Sequence, residues 1–377
     1  MRGAFQIAKF FGIPVRIHWS FGLIFLWAFY LGFRENWAWT SIGWFLLFIG
    51  ALFVCVVLHE FGHALTARRY GVSTRDIILS PIGGVARLDK LPEQPMQEFY
   101  VAVAGPLVNV GIMAILSPYL LFISSKTEES VPNIIRSFFN LSDNIFLHNL
   151  TQLDYFFFGL IALNGTLAVF NMLPAFPMDG GRVLRALLSI PLGRMQATRI
   201  ATYIGQFLAV LLFAYGIWQG SPITALIGVF IFFMAAGEYR MVRMDKTLSQ
   251  HTVAEVVRPH FTKFYLNDTM EKVAEAVTHG WEKNFLIFDE WQNLRGVLTE
   301  EGIMRAVKQQ AFNRPVTDFM LPGYEALLPT DSLRDALAQI QNSNRAMCPV
   351  YHPDGRLMGV VEAGMLQNFI RMQQRMQ

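Results

Sequence analysis

Charge is scarce in this chain. Acidic and basic side chains together make up 16% of its 377 residues, against 53% apolar. A soluble domain carries about 25% charge. A wholly water-soluble fold is therefore excluded, and the composition asks for an apolar solvent around much of the chain with a smaller polar appendage. Cysteine is scarcer still, with only Cys55 and Cys348. One falls in an apolar run and the other in a polar tail, so no disulfide is expected. The net charge is only +3, and there is no basic tract or basic-aromatic patch. No nucleic-acid partner is expected. The opening stretch MRGAFQIAKFFGIPVRIHWS has no small-residue cleavage site, so no cleavable signal peptide is expected.

What the chain has in abundance is apolar runs. Six read as candidate spans: Trp19 to Phe33, Ile42 to Leu65, Tyr100 to Phe122, Tyr155 to Leu173, Ile200 to Trp218 and Ile223 to Ala236. Each approaches the roughly 20 residues that a tilted helix needs to cross a bilayer. Gly105-Pro106 is expected to break the third, and Gln219 to Pro222 to turn a hairpin between the last two. With the N-terminus in the cytoplasm, the inner segments hold 15 basic residues, from Arg2 to Lys246. The outer segments hold Arg34, Lys126 and Arg136. The excess of positive charge inside predicts that both termini are cytoplasmic.

The second run ends in His59-Glu60-Phe61-Gly62-His63. Residues i and i+4 share one helix face, so both imidazoles reach one metal ion. Glu60 is then placed to take a proton from a water. This is the pattern of a zinc hydrolase. Ionisable groups are costly in lipid, so their presence in a span points to function. Cys55, one turn before His59, reads as a small core residue, with an approach to the metal as the alternative.

A zinc hydrolase needs a third protein ligand and one open position. The fourth run leads into Asn171-Met172-Leu173-Pro174-Ala175-Phe176-Pro177-Met178-Asp179-Gly180-Gly181-Arg182. Its prolines end the helix. Asp179 is the best candidate for the third ligand, being an acidic residue at the same membrane depth as the histidines.

These motifs, in this order, resemble the site-2 protease family of intramembrane zinc metalloproteases. The likeness is to the prokaryotic branch with a C-terminal pair of cystathionine-β-synthase-type (CBS) domains. The resemblance runs from Gly12-Ile13-Pro14-Val15-Arg16-Ile17-His18-Trp19, through the His59 motif, Pro81-Ile82-Gly83-Gly84-Val85-Ala86 and Ala104-Gly105-Pro106-Leu107-Val108-Asn109, to the Asp179 motif. It implies that His59, His63 and Asp179 hold Zn(2+) and that Glu60 is the general base. Asn109 matches the polar residue of the family's Gly-Pro-x-x-Asn pattern. Its readings are polarising or positioning the scissile carbonyl, or a helix-helix hydrogen bond. Asn171 lines the site or caps its helix. Asn164 reads as packing and His18 as interfacial.

Ile77 to Leu88 is bounded by turn residues and reads as a short hairpin or re-entrant loop. Its edge is free to pair with an extended substrate. From Lys246 the chain becomes charged and repeats itself. Gly296-Val297-Leu298-Thr299 recurs as Gly359-Val360-Val361-Glu362 at an offset of 63 residues. The order strand, helix, strand, strand, helix resembles a CBS pair. The Asp that holds a ribose in such pairs is replaced by Gly302 and Met365, so dimerisation or gating is expected ahead of nucleotide binding.

The expected fold is an α-helical polytopic membrane protein of about six transmembrane helices, with a soluble α/β CBS pair. Residues 1–245 form the metalloprotease domain, and 246–311 and 312–377 the two repeats. The expected function is cleavage in or near the transmembrane segment of a single-span membrane protein, with the lipid bilayer as solvent and a homodimer through the CBS pair. The alternatives are a CBS-containing transporter and a non-proteolytic zinc-binding scaffold.

Overall fold

The computed structural model of the chain describes residues 3–81, 83–88, 94–128, 130–134, 150–343 and 346–376. Arg2, Ile82, Lys90 and Arg136 lie outside the described residues, as do all of 135–149. The chain forms two compact units, Met1–Tyr239 and Arg240–Gln377.

The first unit opens with strands β1 (Ala4–Phe10) and β2 (Ile13–His18), then the short helix α1 (Gly22–Arg34) and the long α2 (Trp39–Arg69). Strands β3 (Thr74–Ser80) and β4 (Gly83–Leu88) follow, then α3 (Pro95–Leu116) and α4 (Pro118–Thr127). Helices α5 (Gln152–Asn171), α6 (Asp179–Leu192), α7 (Arg194–Trp218) and α8 (Pro222–Gln250) complete it, the last turns of α8 lying past the unit boundary. Among the described residues, α2, α3, α5, α7 and α8 are long and apolar enough to cross a membrane, and α1 is a shorter apolar helix. Apolar side chains such as Leu58, Val169 and Phe207 point outward from these helices, as a lipid solvent favours.

The third span corrects an expectation. Helix α3 runs unbroken through Gly105-Pro106, and the break falls at Ser117, before Pro118. A proline costs little at the start of a helix, where its missing N–H has no partner to lose. Within a membrane helix, neighbouring groups satisfy the carbonyl that Pro106 leaves free.

The segment 77–88 does form a hairpin, but within a larger sheet. Strand order is β1-β2-β3-β4, with β2 and β3 parallel and the other pairs antiparallel. Ile13, Val15, Ile77 and Leu79 alternate onto one face and pack on Phe61 and Ala64 of α2. The sheet thus rests on the helix that carries the His-Glu-x-x-His motif. Asp76 on β3 is buried and bonds Arg87 of β4 and Arg16 of β2. The Arg87 guanidinium holds its carboxyl below the usual carboxylate range.

The second unit has two halves. The first contains β5 (Lys263–Tyr265), α9 (Met270–His279), β6 (Phe285–Phe288), β7 (Leu294–Leu298) and α10 (Glu300–Lys308). After β8 (Leu321–Pro322), the second contains α11 (Leu333–Asn342), β9 (Met347–Tyr351), β10 (Leu357–Glu362) and α12 (Ala363–Met376). The parallel pairing of Phe264 with Ile287 recurs as a single parallel bridge between Leu327 and Val350. Each half has its own core, around Phe264 and Phe285 in one and Leu327 and Cys348 in the other. A third cluster, with Leu286, Val297, Met347 and Val360, joins them.

Candidate active site

Helix α2 presents His59 and His63 on one face, and both side chains are buried. Their Nε2 atoms are 3.1 Å apart. Asp179, the first residue of α6, brings Oδ2 to 3.1 Å from Nε2 of His63 and 3.2 Å from Nε2 of His59. Among the described residues these are the one group of three or more His, Cys, Asp or Glu side chains converged to hold a metal. The triangle fits zinc. Bonds of about 2.0–2.1 Å in a tetrahedron place ligand atoms about 3.3 Å apart. One neutral imidazole proton cannot satisfy two ring nitrogens and a carboxylate at once, whereas a cation satisfies all three.

The ring of His63 is fixed from behind. Its Nδ1 donates to the carbonyl of Val101 on α3 at 2.7 Å, which leaves the Nε2 lone pair facing the other two ligand atoms. Nδ1 of His59 is buried without a hydrogen-bond partner among the described residues.

Gly105, on the facing turn of α3, makes room for this group. A β-carbon there would lie 2.2 Å from Nε2 of His63 and 2.7 Å from Nε2 of His59. One turn further along α3, Asn109 is fully buried, and neither Oδ1 nor Nδ2 has a partner among the described residues. An unpaired amide in such a place is costly unless a ligand completes it.

The approach to Asp179 is a tight turn. Helix α5 ends at Asn171, and the chain doubles back through bonds from Ala175 N to Leu173 O and from Met178 N to Ala175 O. The Phe176–Pro177 peptide is cis. Helix α6 packs so closely on this turn that a β-carbon on Gly180 would fall 2.3 Å from the carbonyl oxygen of Leu173. The glycine pair after Asp179 therefore serves close packing, which sets the carboxylate over the α2 histidines.

Glu60 projects toward the sheet. Its Oε2 accepts the backbone N–H of Ala86 on β4 at 2.9 Å. That N–H belongs to the outermost strand of the sheet on this side. Among the described residues the base candidate is therefore held by a backbone donor on the last strand of the sheet.

The remaining candidates sort as follows. Asn171 is the half-buried last residue of α5. Asn164 is fully buried and donates to Leu160 O at 2.8 Å and to Sγ of Cys55 at 3.4 Å, which is a packing role for both. Cys55 is not in the converged group. His18 caps the turn Trp19–Phe21 through Ser20. The sequence reading missed the carbonyl of Val101 and the N–H of Ala86, because backbone groups leave no residue-type signal.

Fold and site together put the chain among the membrane-embedded metalloproteases. Residues 47–215 match Peptidase family M50, and residues 316–370 match the CBS domain. A zinc metalloprotease of Methanocaldococcus jannaschii, MJ0392, is 35% identical over 260 residues, covering 69% of this chain and 68% of that protein. The Synechocystis sp. protein sll0528 is 27% identical over 383 residues, covering 96% of this chain and 94% of that one. Among solved structures, the site-2 protease from Methanocaldococcus jannaschii is 35% identical, covers 63% of this chain and 95% of that one, and aligns with a TM-score of 0.43. The chain belongs to peptidase family M50, the site-2 proteases. It is an integral-membrane zinc metalloprotease with a C-terminal CBS region.

Proposed function

We propose that this protein cleaves a peptide bond in or near the transmembrane segment of single-span membrane proteins. The observation that carries the reading is the convergence, at 3.1–3.2 Å, of His59 and His63 on the membrane-length helix α2 with Asp179 at the start of α6, with Glu60 next to His59 in the chain. His59, His63 and Asp179 are the zinc ligands. When bound, zinc supplies a Lewis acid that polarises a carbonyl and acidifies a water.

The chain's own residues do the rest. Glu60 accepts a proton from the attacking water and returns it to the leaving amine. The unpaired amide of Asn109 faces the scissile peptide and takes its carbonyl oxygen or N–H as partner. Asn171 lines the same opening. A helical substrate hides its own carbonyls, so it must be extended before attack. Strand β4, the last of its sheet among the described residues, offers backbone groups for that extended strand.

Both termini are cytoplasmic in this reading, and the protein sits in a prokaryotic cell membrane. The catalytic domain covers residues 1–245 and the CBS repeats 246–311 and 312–377. The pair regulates cleavage, through dimerisation or contact with the cytoplasmic part of the substrate. The test is cleavage of a single-span reporter by the purified zinc-loaded protein, read against the Glu60→Gln variant.

A further inference from the structure

Among the described residues Arg185 is the largest fully buried side chain, although it counts among the basic residues of the inner segments. It lies on α6, on the helix that begins at Asp179. Its Nε donates to Oε1 of Glu98 on α3 at 2.8 Å, and a second guanidinium nitrogen bonds the same oxygen. A third donates to Oε1 of Glu238 on α8 at 2.6 Å. The guanidinium also lies over the ring of Phe176, 5.1 Å from its centroid, inside the turn that leads to Asp179.

These contacts close a loop through the metal site. His63 is gripped on both sides, with Val101 O at Nδ1 and Asp179 Oδ2 at Nε2. Val101 stands on α3, one turn after Glu98, and Asp179 starts the helix of Arg185. The Glu98–Arg185 bond therefore joins the two elements that hold opposite edges of one imidazole. If the spacing between α3 and α6 changed, His63 could not keep both partners.

We infer that Arg185, together with Glu98, is a positioning pair for the metal centre. It sets the distance between the Val101 carbonyl and the Asp179 carboxylate, and it pins the turn before Asp179 through Phe176. A lysine cannot replace it. A single ammonium has neither the planar fork to serve two carboxylates nor the flat face to stack on an aromatic ring. The inference rests on His63 and Asp179 being ligands.

The test uses the full-length protein in detergent, with metal affinity read by competition against a chelator. The visible absorption of the cobalt-substituted protein reports ligand geometry independently of activity. Arg185→Lys is expected to weaken metal binding by about tenfold or more, as outer-shell changes do, and to shift the cobalt bands. Glu98→Gln, which leaves the Arg185–Glu238 bond in place, is expected to act in the same direction and decides the matter if Arg185→Lys does not fold. Lys126→Met is the control for general destabilisation. It breaks the pair of half-buried Lys126 with buried Asp154, near the far end of α5, about 25 Å along that helix from Asn171. It is expected to lower thermal stability and leave affinity and spectrum unchanged. Wild-type affinity and bands in folded Arg185→Lys and Glu98→Gln would overturn the inference, as would an equal loss in Lys126→Met. Asp179→Ala separates the two levels. If it keeps the metal, the ligand assignment itself fails; if it loses the metal while the Arg185 and Glu98 variants keep it, only the positioning role fails.

Discussion

Gly105 of α3 and His63 of α2 approach so closely that no side chain fits between them. A β-carbon on Gly105 would stand 2.2 Å from the ring nitrogen that faces Asp179. The neighbour is a packed imidazole held at its other nitrogen by Val101, so it cannot swing away without losing that bond. Gly105→Ala should therefore displace His63 from the metal group. We expect about a tenfold or greater loss of zinc affinity, with the protein still folded. Zinc content after dialysis, measured by elemental analysis beside a thermal unfolding curve, checks this. Full retention would show that α3 can move aside.

Glu60→Gln keeps the side chain's shape and can still accept the Ala86 N–H through its amide oxygen. It removes the proton acceptor. Zinc content should stay at the wild-type level while cleavage falls about 10²- to 10⁴-fold. Near-normal cleavage would remove Glu60 from the base role.

Asp179→Ala takes away the third ligand and leaves two imidazoles. Zinc affinity and cleavage should fall together, and a chelator should strip the variant at concentrations the wild type resists. Retention of zinc would require another donor. Cys55 is the nearest thiol in sequence, but its Sγ is engaged by Asn164.

The tail should not act as an adenosine-nucleotide sensor. Thr299 caps α10 through Gly302, where a ribose-binding carboxylate would be needed. In the second half Met365 stands at the place of Gly302, and Glu362, at the place of Thr299, bonds Arg258 at 2.8 Å and Asn284 at 3.2 Å. An acidic group already paired there disfavours a phosphate. Calorimetry with AMP or ATP should show no micromolar binding, and neither nucleotide should raise the unfolding temperature. A saturable heat at micromolar concentration would restore the nucleotide-sensor reading.

Topology can be tested directly. A reporter fused after Gln377 should be cytoplasmic, and a tag inserted between Lys126 and Asn149 should be reached only from outside. The reverse accessibility would overturn the orientation drawn from the distribution of basic residues.

Much of this was legible in the residues. The i, i+4 spacing placed His59 and His63 on one face, and an acidic residue at the same membrane depth singled out Asp179. The recurring glycine motif announced the repeat in the tail. Long-range pairings were not legible. Strand β2 lies beside β3 although α1 and α2 intervene between them, and no local pattern encodes that. Pro106 was misleading because its usual cost in a helix interior falls within lipid-exposed, tightly packed helices. The burial of Arg185 was not legible either, because burial of a cation depends on partners, here Glu98 and Glu238, that are remote in sequence.

The most direct test of the account is to map a cut. The purified protein, in detergent or liposomes, is incubated with a single-span reporter, and the products are weighed by mass spectrometry. The account predicts a defined new terminus in or near the reporter's transmembrane segment. That product should appear with the zinc-loaded protein, vanish after zinc removal, return when zinc is restored, and be absent with Glu60→Gln. Cleavage that survives zinc removal, or no cleavage of any single-span reporter by fully zinc-loaded protein, would contradict it.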